Sequence, residues 1–269
     1  MQWIKALTLV LSASVLLACG GSNDKKGVHA NVVIIGTIAG PETQIMEEAK
    51  AVAKKQSGLD IEIVQFQDYA TPNIALNDGT LDANMIQHQP YLDDMVAARG
   101  YHLVSIGKTF VYPVGIYSHK IKTLADLREG AQVALPNDPS NGARALLLLQ
   151  KANLITLDAS KGLHVSMQDI RSNPKKLQFL ALDAAQLPRT LADVDLSVIN
   201  TNYAVASGFL PSRDALAIED KNSPYANIVV VREKDSKDPR FEKLMNALHS
   251  KEVTDKAEAL FAGQAIPAW

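Results

Sequence analysis

Cysteine is almost absent: the 269-residue chain has one, at position 19. No intrachain disulfide can form, so the fold must rest on its hydrophobic core. A dominant charge is missing too. With 27 basic and 29 acidic residues and a formal net charge of −2, nothing marks a nucleic-acid partner, which would call for a basic patch. The six histidines (29, 88, 102, 119, 164 and 249) have no paired spacing, whereas soft-metal sites need clustered His or Cys. No metal and no cofactor is therefore expected. A Gly-x-Ser-x-Gly elbow is also lacking, and the scattered Ser, His and Asp residues carry no mechanism, so the chain does not read as an enzyme. Beyond the first eighteen residues there is no second long apolar run, and no internal repeat.

What is present begins with an address. Residues 1–18 carry one positive charge, Lys5, and then an apolar run broken only by Thr8 and two serines. That is a secretory signal, too short for a comfortable membrane span. It ends in Leu16-Leu17-Ala18-Cys19, which resembles the lipobox of bacterial lipoproteins, where the cysteine becomes the lipid-carrying first residue. Residues 1–18 are thus expected to be a lipoprotein signal peptide, Cys19 the lipidation site, and the polar, glycine-rich residues 19–30 a flexible tether. The expected location is the bacterial cell envelope, lipid-anchored on the periplasmic face of the inner membrane or on the outer membrane.

The remaining 240 or so residues suffice for a large core or two lobes. They alternate strand and helix patterns. A β-rich run at 32–36 precedes Pro41, a good first helical residue, and Ile45, Met46, Ala49, Val52 and Ala53 then share one face until Gly58. Strands are expected at 61–66, 83–86 and 103–106, with a helix over 90–98 closed by Gly100. Such βαβα order implies parallel sheets with ligands outside the strands' carboxyl ends. Residues 110–118, broken by Pro113 and Gly115, suit a crossover rather than a central strand. A second α/β unit follows, with strands at 132–135, 177–182 and 196–199. Residues 225–232 run extended and carry the chain back, and 243–249 and 253–261 form closing helices. The expected division is residues 31–112 plus 228–269 as lobe I and 113–227 as lobe II, with a cleft between them.

The most informative stretch is Asn137-Asp138-Pro139-Ser140-Asn141-Gly142-Ala143-Arg144, followed by a leucine run. Turn formers feed a helix for which Ser140 is the expected N-cap. Nearly bare amides at such a helix start favour an anion. Arg144 leans back toward that end and offers a planar fork to a carboxylate. Otherwise it is a surface arginine on a capped helix. In a wet cleft, its loss is expected to change folding stability little.

Several motifs carry a family resemblance: Phe66-Gln67-Asp68-Tyr69, Leu81-Asp82-Ala83-Asn84, Gln87-His88-Gln89-Pro90-Tyr91, Phe110-Val111-Tyr112-Pro113, Val198-Ile199-Asn200-Thr201-Asn202-Tyr203-Ala204 and Ser223-Pro224-Tyr225-Ala226-Asn227. With the lipobox, they resemble the methionine-binding lipoproteins (the MetQ and NlpA lipoprotein family), substrate-binding subunits of ABC importers. The resemblance implies an α/β, two-lobed periplasmic-binding-protein fold, type II like, with the ligand in the interlobe cleft. It implies that Asn141 and Arg144, with Asn202 and Asn227, hold the ligand's backbone groups. Tyr69, His88 and Tyr91 would line the pocket for the thioether, a lining that suits sulfur. The implied partners are methionine, the importer's permease and ATPase, and a membrane through the lipid; a monomer is expected. Ile86 stands where the family often has an aromatic. No aspartate is an evident counter-ion for the ligand's ammonium. The alternatives are a metal-binding lipoprotein receptor and a surface lipoprotein without a transport role.

Overall fold

A computed structural model describes residues 31–269. The signal peptide, Cys19 and the tether lie outside the described residues.

The chain begins with β1 (Val32–Ile38), α1 (Pro41–Ser57), β2 (Asp60–Phe66), α2 (Thr71–Asp78), β3 (Ala83–His88), α3 (Gln89–Arg99) and β4 (Leu103–Val111). Proline opens α1, α2 and α3 in their first turns, where its missing N–H costs nothing. Glycine closes each: Gly58 and Gly100 both take φ 67° and donate their N–H back to Lys54 and Val96. Then come β5 (Gly115–Tyr117), β6 (Gln132–Pro136), α4 (Pro139–Lys151), the small pair β7 (Thr156–Leu157) and β8 (Ile170–Ser172), β9 (Gln178–Leu182), α5 (Leu187–Thr190), β10 (Leu196–Ile199), α6 (Thr201–Ala206), α7 (Pro211–Asp214) and β11 (Ala217–Ile218). The chain ends with β12 (Ala226–Arg232), α8 (Pro239–Leu248), α9 (Lys251–Leu260) and β13 (Ile266–Pro267).

Two large sheets result. The first has the order β13-β4-β12-β3-β1-β2 and the second β11-β5-β10-β6-β9. This is the two-lobed α/β arrangement of periplasmic binding proteins. The expectation of parallel sheets holds for β1, β2 and β3 and for β6, β9 and β10, but other strands run against them. β12 runs antiparallel to both neighbours, β3 and β4, and in the second sheet β5 is antiparallel to β10 and β11. A strand that returns from the other sheet enters from the opposite direction, so it cannot pair in parallel.

Each sheet has its own core. α1, α8 and α9 cover one face of the first, burying Ile45, Met46, Phe241, Leu248 and Phe261 against Val33 and Ile35. Leu76, Leu81 and Leu92 cover its other face. The leucine run of α4 packs on Val133, Leu135 and Val198 of the second sheet. Ile38 and Ile86 of the first sheet share a cluster with Tyr117 and Ile199 of the second, which forms an apolar seam beside the site.

The topology also gathers one edge. β1, β2 and β3 run parallel, so their carboxyl ends lie together. Because β12 is antiparallel, its first residues reach that same edge, with Asn227 opposite His88. Among the described residues no helix is long and apolar enough to cross a membrane.

Candidate functional site

The seven residues singled out in the sequence, Tyr69, His88, Tyr91, Asn141, Arg144, Asn202 and Asn227, all line one cavity of about 360 Å³. It sits where the strands of the first sheet end and where α4 and α6 of the second begin. Ligands favour such edges of α/β sheets.

The helix start at α4 differs from the sequence expectation. Asp138, not Ser140, is the N-cap: its Oδ1 accepts from the Asn141 N–H at 2.9 Å, while the Ser140 hydroxyl donates to the same oxygen at 3.2 Å. Proline suits N1, so Pro139 fixes the cap at Asp138, two residues before Ser140. The anion attracted to this helix end is therefore the chain's own carboxylate. Gly142 is needed for closeness, since a Cβ there would lie 3.1 Å from the Pro136 carbonyl.

Arg144 is 4% exposed and is not a wet side chain. Its Nε donates to both oxygens of Glu219, at 3.0 and 3.1 Å, and Nη2 donates to Glu219 and, at 3.0 Å, to the Tyr112 carbonyl. The guanidinium lies 4.6 Å from the centre of the Tyr225 ring, a cation–π contact. Among the described residues Nη1 has no partner. Thus one edge of the fork is held and the other is open. The expected indifference of stability to Arg144 is corrected as well: its removal would leave Glu219, itself 14% exposed, without its counter-charge.

His88 caps α3 through Nδ1, which accepts from the Tyr91 N–H at 3.3 Å, so Nε2 carries the proton toward Asn141 Oδ1 at 3.2 Å. Burial, and then the Arg144 charge, push the imidazole down to about 3. It is neutral at any ordinary pH. Tyr91 packs edge-on to Tyr69, with centroids 6.0 Å apart, and Tyr225 edge-on to His88 at 5.0 Å.

The asparagines differ in what they have left to offer. Asn141 is spent: its Nδ2 donates to both Asp138 oxygens, and its Oδ1 accepts from Asn200 at 2.8 Å as well as facing His88. Asn202 accepts from the Tyr69 hydroxyl at 2.7 Å and donates to Glu42 at 3.3 Å. Asn227 donates to Glu42 at 2.8 Å, and its Oδ1 has no partner among the described residues.

Glu42, Tyr112 and Asn200 also line the cavity and were not read from the sequence. Glu42 is 1% exposed. Burial raises its carboxyl to about 8 against the lowering effect of the Asn202 and Asn227 bonds. It looks like an ordinary first-turn acid after Pro41, the kind a helix dipole favours at the surface. The available signal was its place just past the carboxyl end of β1. Among the described residues, Asn200 Oδ1 and the Tyr112 hydroxyl in the lining, and the Tyr117 and Tyr225 hydroxyls outside it, are buried without hydrogen-bond partners. Buried polar atoms normally have partners, which singles out Asn200 Oδ1 and the Tyr112 hydroxyl within the lining. Gln87, by contrast, is tied into a buried amide cluster with Asn73 and Asn84. Ile86 supplies an apolar wall.

A larger cavity of about 720 Å³ lies against α4 and the 163–167 segment. Its ionisable lining among the described residues is Asp94, Asp138 and His164, with no arginine or lysine to match a carboxylate. No group of three or more His, Cys, Asp or Glu side chains among the described residues could hold a metal ion.

The sequence profile of the NlpA lipoprotein family matches residues 33–269. A probable D-methionine-binding lipoprotein MetQ of Vibrio cholerae is 47% identical, over 98% of this chain and 97% of that one. The ABC transporter periplasmic substrate-binding protein of Coxiella burnetii is 58% identical, with a TM-score of 0.86 over 88% of this chain and 100% of that one. A nutrient-binding protein of Burkholderia cenocepacia, solved bound to methionine, is 48% identical with a TM-score of 0.86, again over 88% and 100%.

Proposed function

The chain belongs to the NlpA lipoprotein family, and we propose that it is a lipid-anchored substrate-binding protein that captures methionine between its two lobes for an ABC importer. One observation carries this reading. A buried arginine with one open edge shares a small, mainly polar cavity with the buried Asn200 amide oxygen and Tyr112 hydroxyl, and Ile86 and the rings of Tyr69, His88 and Tyr91 supply its apolar side. The open Nη1 of Arg144 takes the ligand's carboxylate. Tyr69, Tyr91, Ile86 and the uncharged ring of His88 receive the thioether, where sulfur–aromatic contacts add about 0.3–1.5 kcal/mol to burial. Asn202 and Asn227 serve the amino-acid end, and Asn141 acts through His88 and Asn200 rather than by direct contact. Similar proteins named as methionine-binding or solved with methionine support the same ligand.

Lobe I is residues 31–112 with 228–269, and lobe II is 113–227. Cys19 carries the lipid, and a monomer hands the ligand to the importer's permease and ATPase complex. Relatives named as lipoproteins support the anchor.

A thermal-shift series tests the ligand. Methionine should raise the melting temperature more than leucine, glutamine or lysine at equal concentration. A ligand at a hundred times its dissociation constant stabilises the native state by about 2.7 kcal/mol. Leucine has similar bulk without the sulfur, and glutamine buries an unpaired amide. A series led by lysine or glutamine contradicts the methionine reading.

A further inference from the structure

The cavity's open hydrogen-bonding capacity divides into two kinds. On the donor side stand the free Nη1 of Arg144 and the Tyr112 hydroxyl, which has no partner among the described residues. On the acceptor side stand the two Glu42 oxygens, each receiving only one bond, with Asn227 Oδ1 and the orphaned Asn200 Oδ1. An α-amino acid presents the complementary pair, a carboxylate that only accepts and an ammonium that only donates. Among the described residues only one acidic side chain, Glu42, lines this cavity, and it is nearly fully buried.

We infer that Glu42 receives the ligand's ammonium and makes the site specific for amino acids whose α-amino group is free. This rests on the methionine reading of the same cavity. The second charged end, unassigned in the sequence, thereby acquires its counter-group. The chemistry of the empty site agrees. A buried carboxylate with two amide donors but no cation keeps its proton, because desolvation outweighs the hydrogen bonds. An arriving ammonium supplies the missing charge, so the O–H bond of Glu42 breaks, its proton leaves to solvent, and an ion pair forms. The other ionisable groups around Glu42 do not compete. Burial raises the Tyr69, Tyr112 and Tyr203 phenols far from neutrality, and His88 stays uncharged. Arg144 is committed to Glu219 on its held edge.

Calorimetric titration at pH 7 in two buffers of different ionisation enthalpy measures the proton directly, without a variant. Methionine binding to the wild-type chain should release close to one proton, with affinity rising as pH approaches 8. The compound 4-(methylthio)butanoate, which keeps the carboxylate and thioether but lacks the amino group, should bind at least a hundredfold more weakly. In Glu42→Gln, methionine should lose at least a hundredfold in affinity, proton release should vanish, and the two ligands should bind alike. Melting of the empty variant confirms that it is folded. Methionine binding to Glu42→Gln within threefold of wild type, or wild-type binding with no proton released, overturns the assignment of Glu42 while leaving methionine as the ligand. A wild-type chain that binds neither compound overturns the functional reading and this inference together.

Discussion

At the scale of single residues, one burial acts on two groups in opposite senses. Glu42 is raised from 4.5 to about 8, and His88 is lowered from 6.5 to about 3; both stay neutral in the empty cavity. The folded chain binds the Glu42 proton more tightly than the unfolded chain does. Its contribution to stability is therefore complete below pH 4.5 and is lost as pH rises to about 8. His88 behaves inversely: its contribution is complete above pH 6.5 and is lost as pH falls toward 3. Between 4.5 and 6.5 the two slopes cancel, and above 6.5 only Glu42 acts. Denaturant melts of the ligand-free chain at pH 5, 6.5 and 8 are expected to reflect this. Glu42→Gln should gain on wild type steadily across the range, by at most about 1.4 kcal/mol per pH unit. A difference that does not change with pH would mean that Glu42 is ionised in the empty site.

At the scale of elements, α4 works as a hub rather than as an open anion cradle. Asp138 caps it and also grips the Asn141 side chain, which in turn meets His88 across the cavity and Asn200 on the strand-to-helix turn before α6. Asp138→Ala should cost about 1 kcal/mol or more through the cap alone and also weaken methionine binding. Asp138→Ser should recover most of the stability, because serine caps as well, but not the binding, because one hydroxyl cannot hold both sides of the Asn141 amide. Urea melts beside calorimetric titration separate the two effects; recovery of both would sever Asp138 from the site. Elements like this were readable from sequence where local chemistry decided them. Pro41 and Gly58 delimit α1, and Gly100 ends α3, because ring and αL geometry act within a few residues. The choice of Asp138 over Ser140 was less legible, since both residues cap well. The direction of β12 was not legible either, because it depends on which sheet the returning chain joins.

At the scale of the whole molecule, the site exists only because distant segments converge. Tyr69 after β2 bonds Asn202 in α6, Glu42 in α1 joins both Asn202 and Asn227, and Arg144 in α4 is held by Glu219 just beyond β11. Motif resemblance pointed to seven of the lining residues. Glu42, Glu219 and the orphaned Asn200 emerged only in three dimensions, because their roles come from burial and from partners more than 50 residues away. The two cavities flanking α4 make the central claim directly measurable. Crystals of the chain grown with selenomethionine as the ligand carry selenium nowhere else, so its anomalous scattering marks where the side chain sits. The account predicts one peak among Tyr69, Ile86, His88 and Tyr91, with the ligand's carboxylate on Arg144. A peak in the larger cavity beside Leu163 and Met167, or no peak at saturating ligand, would contradict it.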